Sequence, residues 1–391
     1  MRALVLVDGE HYAPVVRDAL AALPYEVAGA LLVGGTEKLR GGDDYGVPLV
    51  TELDEVGVDI VVDLSDEPVL GPRERFLWAS RALALGLPYV GADFRFEPPV
   101  LHEAPVPSLA VIGTGKRVGK TAVTGHVARR LARDRDVVVV SMGRGGPAEP
   151  EVRRTAPTLD DLVALARAGR HAASDHLETA VFAGVPTVGC RRAGGGLAGA
   201  TVDSNVLEGV HAAAALEPDL LVLDGSGAAL PPIAAHARIL VTNADHDVRE
   251  GLNAYRVLLS DLVVDTGGAD HGAIREIKDV PVVRAELRLR PAEPLRGRRT
   301  AIFTTGGAPT GHLDADVVHV SRNLARRDLL RAELDGVHAE VYLVELKAAA
   351  IDVVAEVALA RGVEVVLAAN DVVANGLDEL LPGLVPVPVR A

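Results

Sequence analysis

The chain of 391 residues has a single cysteine, few aromatic residues and no long apolar run. Cys190 has no partner cysteine, so no disulfide can form within the chain, and a reducing compartment is expected. No apolar run approaches the roughly 18 residues of a membrane-spanning helix. The segment Met1–Val7 is typical of a strand rather than of a signal peptide. We therefore expect a cytoplasmic protein with no membrane partner.

Aromatic residues make up only 3% of the chain, although 49% of it is hydrophobic. The cores must therefore be built from Val, Leu and Ala, a composition typical of parallel sheets covered by helices. The histidines show no metal-binding spacing, and no Gly-x-Ser-x-Gly motif occurs. Neither a zinc enzyme nor a serine hydrolase is indicated.

Lysine is also scarce, with five lysines among the 40 basic residues, and the formal net charge is −14. This charge argues against nucleic acid as the main partner. Any anion site must therefore concentrate positive charge locally. Two of the five lysines, Lys116 and Lys120, lie four residues apart in the glycine-rich segment Gly113–Thr121.

This segment has the order of a P-loop, since an apolar run precedes it and a helical pattern at 122–132 follows it. Glycines let backbone amides approach phosphate oxygens, and the helix N-terminus adds positive charge. Lys120 is expected to reach the β- and γ-phosphates of ATP, and the Thr121 hydroxyl to hold Mg²⁺. The nucleotide-binding residues predicted in the loop are Thr114, Gly115, Lys116, Arg117, Val118, Gly119, Lys120 and Thr121.

The loop departs from the common spacing at Thr114, where glycine is usual. This variant resembles the loop of the dethiobiotin synthetase and cobyrinate amidase group, which activates acidic substrates with ATP. Lys116 and Arg117 could face the ATP phosphates, the substrate or a neighbouring subunit. Asp224 ends an apolar run and is predicted to support Mg²⁺, with a helix cap as the alternative. Asn243 follows another run, where it could contact adenine or form an Asx turn.

Two Arg/Gly-rich segments are predicted to bind a phosphate or carboxylate of the substrate, because they place guanidinium groups beside glycine amides. One contains Arg144 and the other contains Arg191 and Arg192. His11, in the turn Asp8–Tyr12, could contact a charged ligand across a domain cleft or could simply be exposed. The substrate-binding residues predicted are His11, Arg144, Gly145, Gly146, Arg191, Arg192, Gly194, Gly195 and Asn205.

Strand-like and helical patterns alternate along the chain, which predicts an α/β protein. We expect a central P-loop NTPase domain with a parallel sheet at 104–295, flanked by Rossmann-like α/β domains at 1–103 and 296–391. In the last domain, the predicted elements are strands at 300–304, 339–343 and 363–368 and helices at 324–334 and 348–361.

Together, these segments resemble the cyclic 2,3-diphosphoglycerate synthetase family. The resemblance rests on the turn 8–12, the P-loop, the segment 142–151, the segment 190–196 and the later 203–205. It implies that ATP closes 2,3-bisphosphoglycerate into a cyclic anhydride, releasing ADP and phosphate. The catalytic residues would be Lys116, Arg117, Lys120 and Arg144.

We also expect a homodimer. One alternative is a P-loop kinase or ligase acting on another acidic metabolite, such as a 2-phosphoglycerate kinase. Another is a P-loop regulatory or metallochaperone NTPase, which would be expected to carry Cys or His clusters. The single cysteine and the scattered histidines disfavour this second alternative.

Overall fold

A computed structural model describes residues 1–35, 39, 44–67, 69–306, 309–346 and 351–386. Three sheets form in these residues, each built mainly of parallel strands with helices between them. The predicted α/β class is confirmed. None of the described helices is long and apolar enough to cross a membrane.

The first sheet has the strand order β3-β2-β1-β4-β5-β6, and all its pairs are parallel except β5–β6. Its strands are β1 (Arg2–Val7), β2 (Glu26–Leu32), β3 (Leu49–Val50), β4 (Ile60–Asp63), β5 (Tyr89–Val90) and β6 (Arg95–Phe96). The helices α1 (Ala13–Ala22) and α2 (Pro72–Ala84) connect them, and each begins with a proline in its first turn, where no amide hydrogen is needed.

The second sheet has the order β11-β10-β8-β12-β7-β13-β14-β15, with β9 paired to β10. Its strands are β7 (Ser108–Gly113), β8 (Val137–Gly143), β9 (Glu151–Arg153), β10 (Thr187–Ala193), β11 (Asp203–Ser204), β12 (Leu220–Asp224), β13 (Ala237–Thr242), β14 (Leu262–Asp265) and β15 (Val282–Arg284). Its helices are α3 (Lys120–Leu131), α4 (Leu159–Arg167), α5 (Asp175–Ala183), α6 (Val206–Ala214), α7 (Asn253–Leu259) and α8 (His271–Ile277).

The central strands of this sheet are apolar throughout because both of their faces are covered. In β7, Leu109 and Val111 pack in the same core as residues of α3, whereas Ala110 and Ile112 belong to the core on the opposite face. Since β7, β8, β10 and β12 run parallel, the loops that follow them meet at one edge of the sheet.

The third sheet has the order β16-β20-β19-β17-β18. Its elements are β16 (Glu286–Pro291), β17 (Arg299–Phe303), β18 (Asp316–Ser321), α9 (Arg327–Leu334), β19 (Val341–Glu345), α10 (Ile351–Arg361), β20 (Glu364–Val373), α11 (Leu377–Leu380) and a 3₁₀ turn at Leu381–Leu384. The first residues of the predicted helix 348–361 lie outside the described residues. The predicted boundary leaves 286–291 in the middle domain, but β16 pairs antiparallel with β20.

The third sheet is attached to the P-loop helix through Asp371 of β20. Its carboxylate accepts a hydrogen bond from Arg129 of α3 at 2.6 Å and lies 3.7 Å from His126 Nδ1 on the same helix and 3.4 Å from Arg290 Nε of β16. Burial alone would raise the pKa of Asp371, but the neighbouring His126 and the hydrogen bond from Arg129 outweigh it and hold the pKa well below its usual range.

Replacing Asp371 with asparagine should therefore destabilise the protein at pH 7 by roughly 1.5–3 kcal/mol. Because the folded pKa is depressed, this contribution is present above the unfolded pKa of roughly 3.9 and is lost as the pH falls below it. Urea unfolding at pH 7 and pH 3 measures the difference. Asp378→Asn is the matched control, because Asp378 also contacts His126, at 2.7 Å, but is more exposed. It should lower the free energy of unfolding by less than Asp371→Asn does. An unchanged midpoint for Asp371→Asn at pH 7 would contradict the prediction.

Candidate active site

A cleft of about 500 Å³ opens at the carboxyl ends of β7, β8 and β12. Its walls come from the P-loop, the loop after β8, the start of α5 and the turn after β12. The lining residues belong to the segments 116–121, 143–146, 171–178 and 225–227. Ligands of open parallel sheets bind at this edge, so the cleft is the candidate site.

The P-loop brings two lysines and an arginine to this cleft. Lys120 is 8% exposed, and its ammonium group donates to the Gly115 carbonyl at 2.9 Å. Helix α3 begins after Gly119, whose φ of 89° requires glycine. Arg117 holds a φ of 62°, which is unfavourable for a side chain of this size. Lys116 and Arg117 are exposed and line the cleft beside Lys120.

Thr114 and Val118 do not line the cleft but anchor the loop to neighbouring strands. The Thr114 hydroxyl lies 3.0 Å from the Thr242 hydroxyl at the end of β13, and both side chains are buried. The Val118 carbonyl accepts a hydrogen bond from Thr266 at 2.8 Å. The threonine that replaces the usual glycine therefore joins the P-loop to the next strand of the sheet.

An acidic group lies beside Thr121. The Thr121 hydroxyl donates to Asp175 of α5 at 3.3 Å, and Glu178 lines the cleft one turn later. Asp224, at the end of β12, is 1% exposed and accepts from the Thr124 hydroxyl at 3.1 Å. Its other oxygen has no hydrogen-bond partner among the described residues.

The surroundings of Asp224 disfavour its ionised form. Burial, reinforced by the nearby Asp175 carboxylate, raises the pKa of Asp224 to about 8, although Lys120 opposes this shift. A strongly perturbed carboxyl group under a cleft is a frequent property of functional sites. A cation placed beside it would favour the ionised form and satisfy the unpaired oxygen.

Another wall of the cleft is basic, and we call it the basic wall. Arg144, Gly145 and Gly146 line it directly. Arg192 lies behind this wall and donates to the Ser226 carbonyl at 2.8 Å. Burial, reinforced by the charge of the neighbouring Arg144, lowers the pKa of Arg192. A Cβ at Gly146 would lie 2.0 Å from the Cys190 carbonyl oxygen, so only glycine lets this loop pack against β10.

Other residues of the predicted substrate site are not brought to the cleft lining. Arg191 is exposed and alternates with Arg192 along β10, so the two side chains leave opposite faces of the strand. Gly194 and Gly195 lie in the turn that follows, where the Gly194 carbonyl accepts from Arg192 at 2.5 Å. Neither glycine belongs to the lining segments.

Asn205 contacts backbone groups instead of the cleft. Its side chain accepts from the Arg191 amide at 2.7 Å and donates to the carbonyls of Pro147 and Ala148 at 3.2 and 3.0 Å. These bonds use its oxygen and its nitrogen. Asn205 therefore connects the loop after β8 to the end of β10.

Asn243 and His11 also lie outside the cleft lining. The Asn243 side chain accepts from the Asp245 amide at 3.2 Å, which is the Asx turn given above as an alternative. His11 belongs to the first sheet, where Nδ1 lies 2.6 Å from Asp8 and Nε2 lies 3.3 Å from Asp66. Both ring nitrogens of His11 are thus engaged by carboxylates of its own unit.

Sequence reasoning did not find several residues of the cleft: His171, Ser174, Asp175, Glu178 and Ser226. Helix α5 carries Asp175 and Glu178, but neither residue belongs to a recognisable motif. The Gly225-Ser-Gly227 turn after Asp224 was the one local signal, because it follows a predicted strand end. No group of three or more His, Cys, Asp or Glu that could hold a metal ion occurs in the described part of the chain.

Known proteins resemble this one over most of the chain. Family models of cyclic 2,3-diphosphoglycerate synthetase match in three parts: the N-terminal domain at 2–97, the P-loop domain at 108–283 and the C-terminal domain at 292–371. The predicted P-loop domain is therefore confirmed. A crystal structure of LpxK from Aquifex aeolicus in complex with ATP is 15% identical, with a TM-score of 0.45 over 73% of this chain and 90% of that chain.

Two relatives are similar over nearly their whole length, and both are named cyclic 2,3-diphosphoglycerate synthetase. The protein from Rubrobacter xylanophilus is 48% identical over 97% of this chain and 96% of its own. The protein from Thermococcus gammatolerans is 43% identical over 94% of this chain and 93% of its own. With its P-loop cleft and matches to all three family domains, the chain belongs to the cyclic 2,3-diphosphoglycerate synthetase family.

Proposed function

We propose that this protein uses ATP to cyclise 2,3-bisphosphoglycerate to cyclic 2,3-diphosphoglycerate, releasing ADP and phosphate. The observation that carries the proposal is the concentration of basic side chains around one cleft. Lys116 and Lys120 of the P-loop and Arg144 of the loop after β8 line it, and Arg192 lies near Arg144. In a chain of net charge −14, this local concentration suits two highly charged anions bound side by side.

The P-loop wall is proposed to bind ATP. Lys120 and the loop amides would contact the β- and γ-phosphates, with Lys116 and Arg117 beside them. Mg²⁺ fits the acidic side of the cleft, because one buried oxygen of Asp224 has no hydrogen-bond partner in the described part of the chain and the Thr121 hydroxyl lines the cleft. Thr121 would hold the ion and Asp224 would support it. Bound Mg²⁺ neutralises charge on the phosphate oxygens.

The reaction takes two displacements at phosphorus. An oxygen of one substrate phosphate attacks the γ-phosphorus of ATP, and the bond to the β,γ-bridging oxygen breaks, so ADP leaves. An oxygen of the other substrate phosphate then attacks the phosphorus of the first and closes the ring. The bond from that phosphorus to the oxygen of the transferred group breaks, and this group leaves as inorganic phosphate.

The protein contributes positioning and charge in this scheme and no covalent nucleophile. Arg144 would neutralise the substrate phosphates, so that two anionic groups can approach each other. Cys190 is not suited to attack, because it is buried and burial raises the pKa of its thiol to about 12. Gly145 and Gly146 expose backbone to the same part of the cleft.

The proposed function is tested by measuring ADP and inorganic phosphate separately after adding MgATP with and without 2,3-bisphosphoglycerate. We expect both products in equal amounts, and only when the substrate is present. ADP without inorganic phosphate would instead indicate a kinase that leaves the phosphoryl group on its substrate. Phosphate release that does not depend on substrate would indicate an ATPase.

Replacing Arg144 with lysine should lower kcat/KM for 2,3-bisphosphoglycerate by roughly ten- to a hundredfold, the effect of one lost hydrogen bond to a charged group. Lysine keeps the charge but loses the planar fork that binds a phosphate through two hydrogen bonds. Steady-state kinetics and ATP binding, measured separately, check this expectation. Arg191→Lys is the matched control, because Arg191 is exposed and outside the lining. A loss of ATP affinity with an unchanged substrate KM would assign Arg144 to the nucleotide instead.

The organisation of the chain is also part of the proposal. We propose domains at 1–103, 104–295 and 296–391, and the strand orders of the first and third sheets support a Rossmann-like description of the flanking units. The second boundary would move to about residue 285 if β16 is counted with its sheet. The expected homodimer and cytoplasmic location stay predictions, and light scattering tests the dimer.

A further inference from the structure

Helix α7 carries an arginine that is almost completely buried. Arg256 is 2% exposed, and no ion pair to it is found in the described part of the chain. Its guanidinium donates Nε to the Ala228 carbonyl at 2.9 Å, Nη1 to the Leu252 carbonyl at 2.9 Å and Nη2 to the carbonyls of Leu197 and Ala228 at 3.1 and 2.5 Å. A charge without a carboxylate partner is unfavourable in this position.

Two of these carbonyls belong to the loops that form and support the basic wall. Ala228 directly follows Ser226 and Gly227, which line the cleft. Leu197 lies in the glycine-rich turn after Arg192, and the Leu230 amide donates to the Gly199 carbonyl of that turn at 2.9 Å. Arg192 in turn joins the two loops by its hydrogen bond to the Ser226 carbonyl.

The third contact fixes the guanidinium to its own helix. Leu252 is the residue before α7, so the bond to its carbonyl holds Arg256 against the start of that helix. Helix α7 also packs against α2 of the first unit, and near this contact Arg73 donates to Asp247 at 3.0 Å. The two loops are therefore tied to a helix that lies outside the cleft.

We infer that Arg256 is a positioning residue that fixes the loops containing Leu197 and Ala228 relative to each other. It thereby sets the position of Ser226 in the cleft lining and of Arg192 behind the basic wall. The inference rests on the proposed function, because it assigns that wall to the acidic substrate. Arg256 itself does not line the cleft, so its action passes through the two loops.

An arginine suits this role better than other residues of similar size. Its planar fork directs several donors at carbonyls of different loops at once, whereas a lysine ammonium is a single point charge on a flexible stem. An apolar residue would fill the volume without ordering either loop, and it would leave the carbonyls without these donors. Arg256→Lys therefore keeps the charge without the planar fork, and Arg256→Met keeps most of the volume without the charge.

The test combines kinetics with hydrogen exchange on the full-length protein. In Arg256→Lys and Arg256→Met, we expect faster amide exchange at 193–200 and 225–230 and a fall in kcat/KM for 2,3-bisphosphoglycerate of roughly ten- to a hundredfold. The Kd for ATP should change less than this, because the Gly115 carbonyl holds Lys120 and neither of these loops does. Turnover by the wild-type protein tests the proposed function separately. If the wild type does not cyclise the substrate, amide exchange in the two loops still tests the positioning role of Arg256.

Lys278→Met is the matched control. The Lys278 ammonium also donates to backbone carbonyls, those of Leu258 and Ser260 at 3.0 and 2.5 Å, but at the other end of α7. We expect this variant to lose stability without a change in loop exchange or substrate KM. Equal losses of ATP and substrate binding in the Arg256 variants, or unchanged exchange in both loops, would overturn the inference. Loss of the fold in both variants would assign Arg256 to stability and overturn it as well.

Discussion

Replacing Lys120 with alanine should abolish turnover, with a loss of at least roughly 100- to 1,000-fold in kcat. Lys120 is the P-loop lysine whose ammonium lies at the base of the cleft, bonded to the Gly115 carbonyl at 2.9 Å. In the transition state this charge would contact the phosphoryl group that is transferred. Since the chain has a net charge of −14, no general excess of positive charge can compensate for the lost ammonium group.

The loss should be specific to this lysine. Lys120→Arg keeps the charge but not the compact shape of the ammonium, and we expect it to remain inactive in the tight loop. Lys278→Ala, in the same family domain but away from the cleft, is the matched control and should keep its turnover number. Circular dichroism of each variant tests whether the fold is intact. Wild-type kcat in a folded Lys120→Ala protein would show that the loop is not a phosphate site.

Replacing Asp224 with asparagine should weaken the response to Mg²⁺ by roughly 10- to 100-fold and lower the rate in proportion. Asparagine preserves the shape of the side chain and the bond with Thr124 but removes the negative charge under the cleft. A titration of Mg²⁺ at saturating substrates measures the shift. Asp219→Asn is the matched control, because Asp219 is exposed at the other end of β12. An unchanged titration for Asp224→Asn would leave Asp224 with a structural role only.

The same substitution should stabilise the ligand-free protein at high pH. The pKa of Asp224 is raised to about 8 in the folded state, mainly by burial, against roughly 3.9 in an unfolded chain. Between these values the folded state holds the extra proton, so stability falls as the pH rises through this window and levels off above it. Asparagine cannot ionise, so the variant does not lose stability in this way as the pH rises.

We therefore expect Asp224→Asn to melt at least roughly 2–4 °C above the wild type at pH 8.5 in EDTA, and the difference to be much smaller at pH 5. Thermal unfolding followed by circular dichroism measures both values. A residue that lowers stability and supports activity is typical of a functional site. A variant that melts below the wild type at pH 8.5 would contradict the pKa assignment.

The sequence predicted those parts of the site that are encoded locally. The strand, glycine-rich loop and helix of the P-loop are contiguous, and α3 begins at Lys120 as the motif implies. The predicted strand at 300–304 corresponds to Arg299–Phe303, and the predicted helix at 324–334 to the later Arg327–Leu334. In each case, hydrophobic periodicity within a few residues determines the element.

The sequence could not predict contacts between distant segments. Asp175 and Glu178 reach the cleft because α5 packs beside α3, and their local sequence carries no motif for this placement. Strand β16 lies on the other side of the predicted boundary from its partner β20, which follows it by about 80 residues, and pairing over such a separation is decided by tertiary structure. Asn205 was predicted to bind substrate, but its polar atoms are used by backbone groups.

Two neighbouring arginines of β10 lie in different surroundings in the structure. Arg191 and Arg192 are adjacent in sequence and were predicted to act together. Because successive side chains of a strand point to opposite faces, only Arg192 turns toward Ser226 and the basic wall. Strand β10 extends to Ala193 and so includes both arginines, and the face that meets the cleft depends on how β10 packs in the sheet.

Phosphorus NMR of a mixture of the protein, MgATP and 2,3-bisphosphoglycerate tests the proposed cyclisation most directly. We expect the two phosphate-ester signals of the substrate to disappear and phosphoanhydride signals of a cyclic product to replace them, together with one ADP and one inorganic phosphate per turnover. The Lys120→Ala protein should leave the spectrum unchanged. A linear phosphorylated product without inorganic phosphate, or ATP hydrolysis with the substrate intact, would contradict the proposed cyclisation.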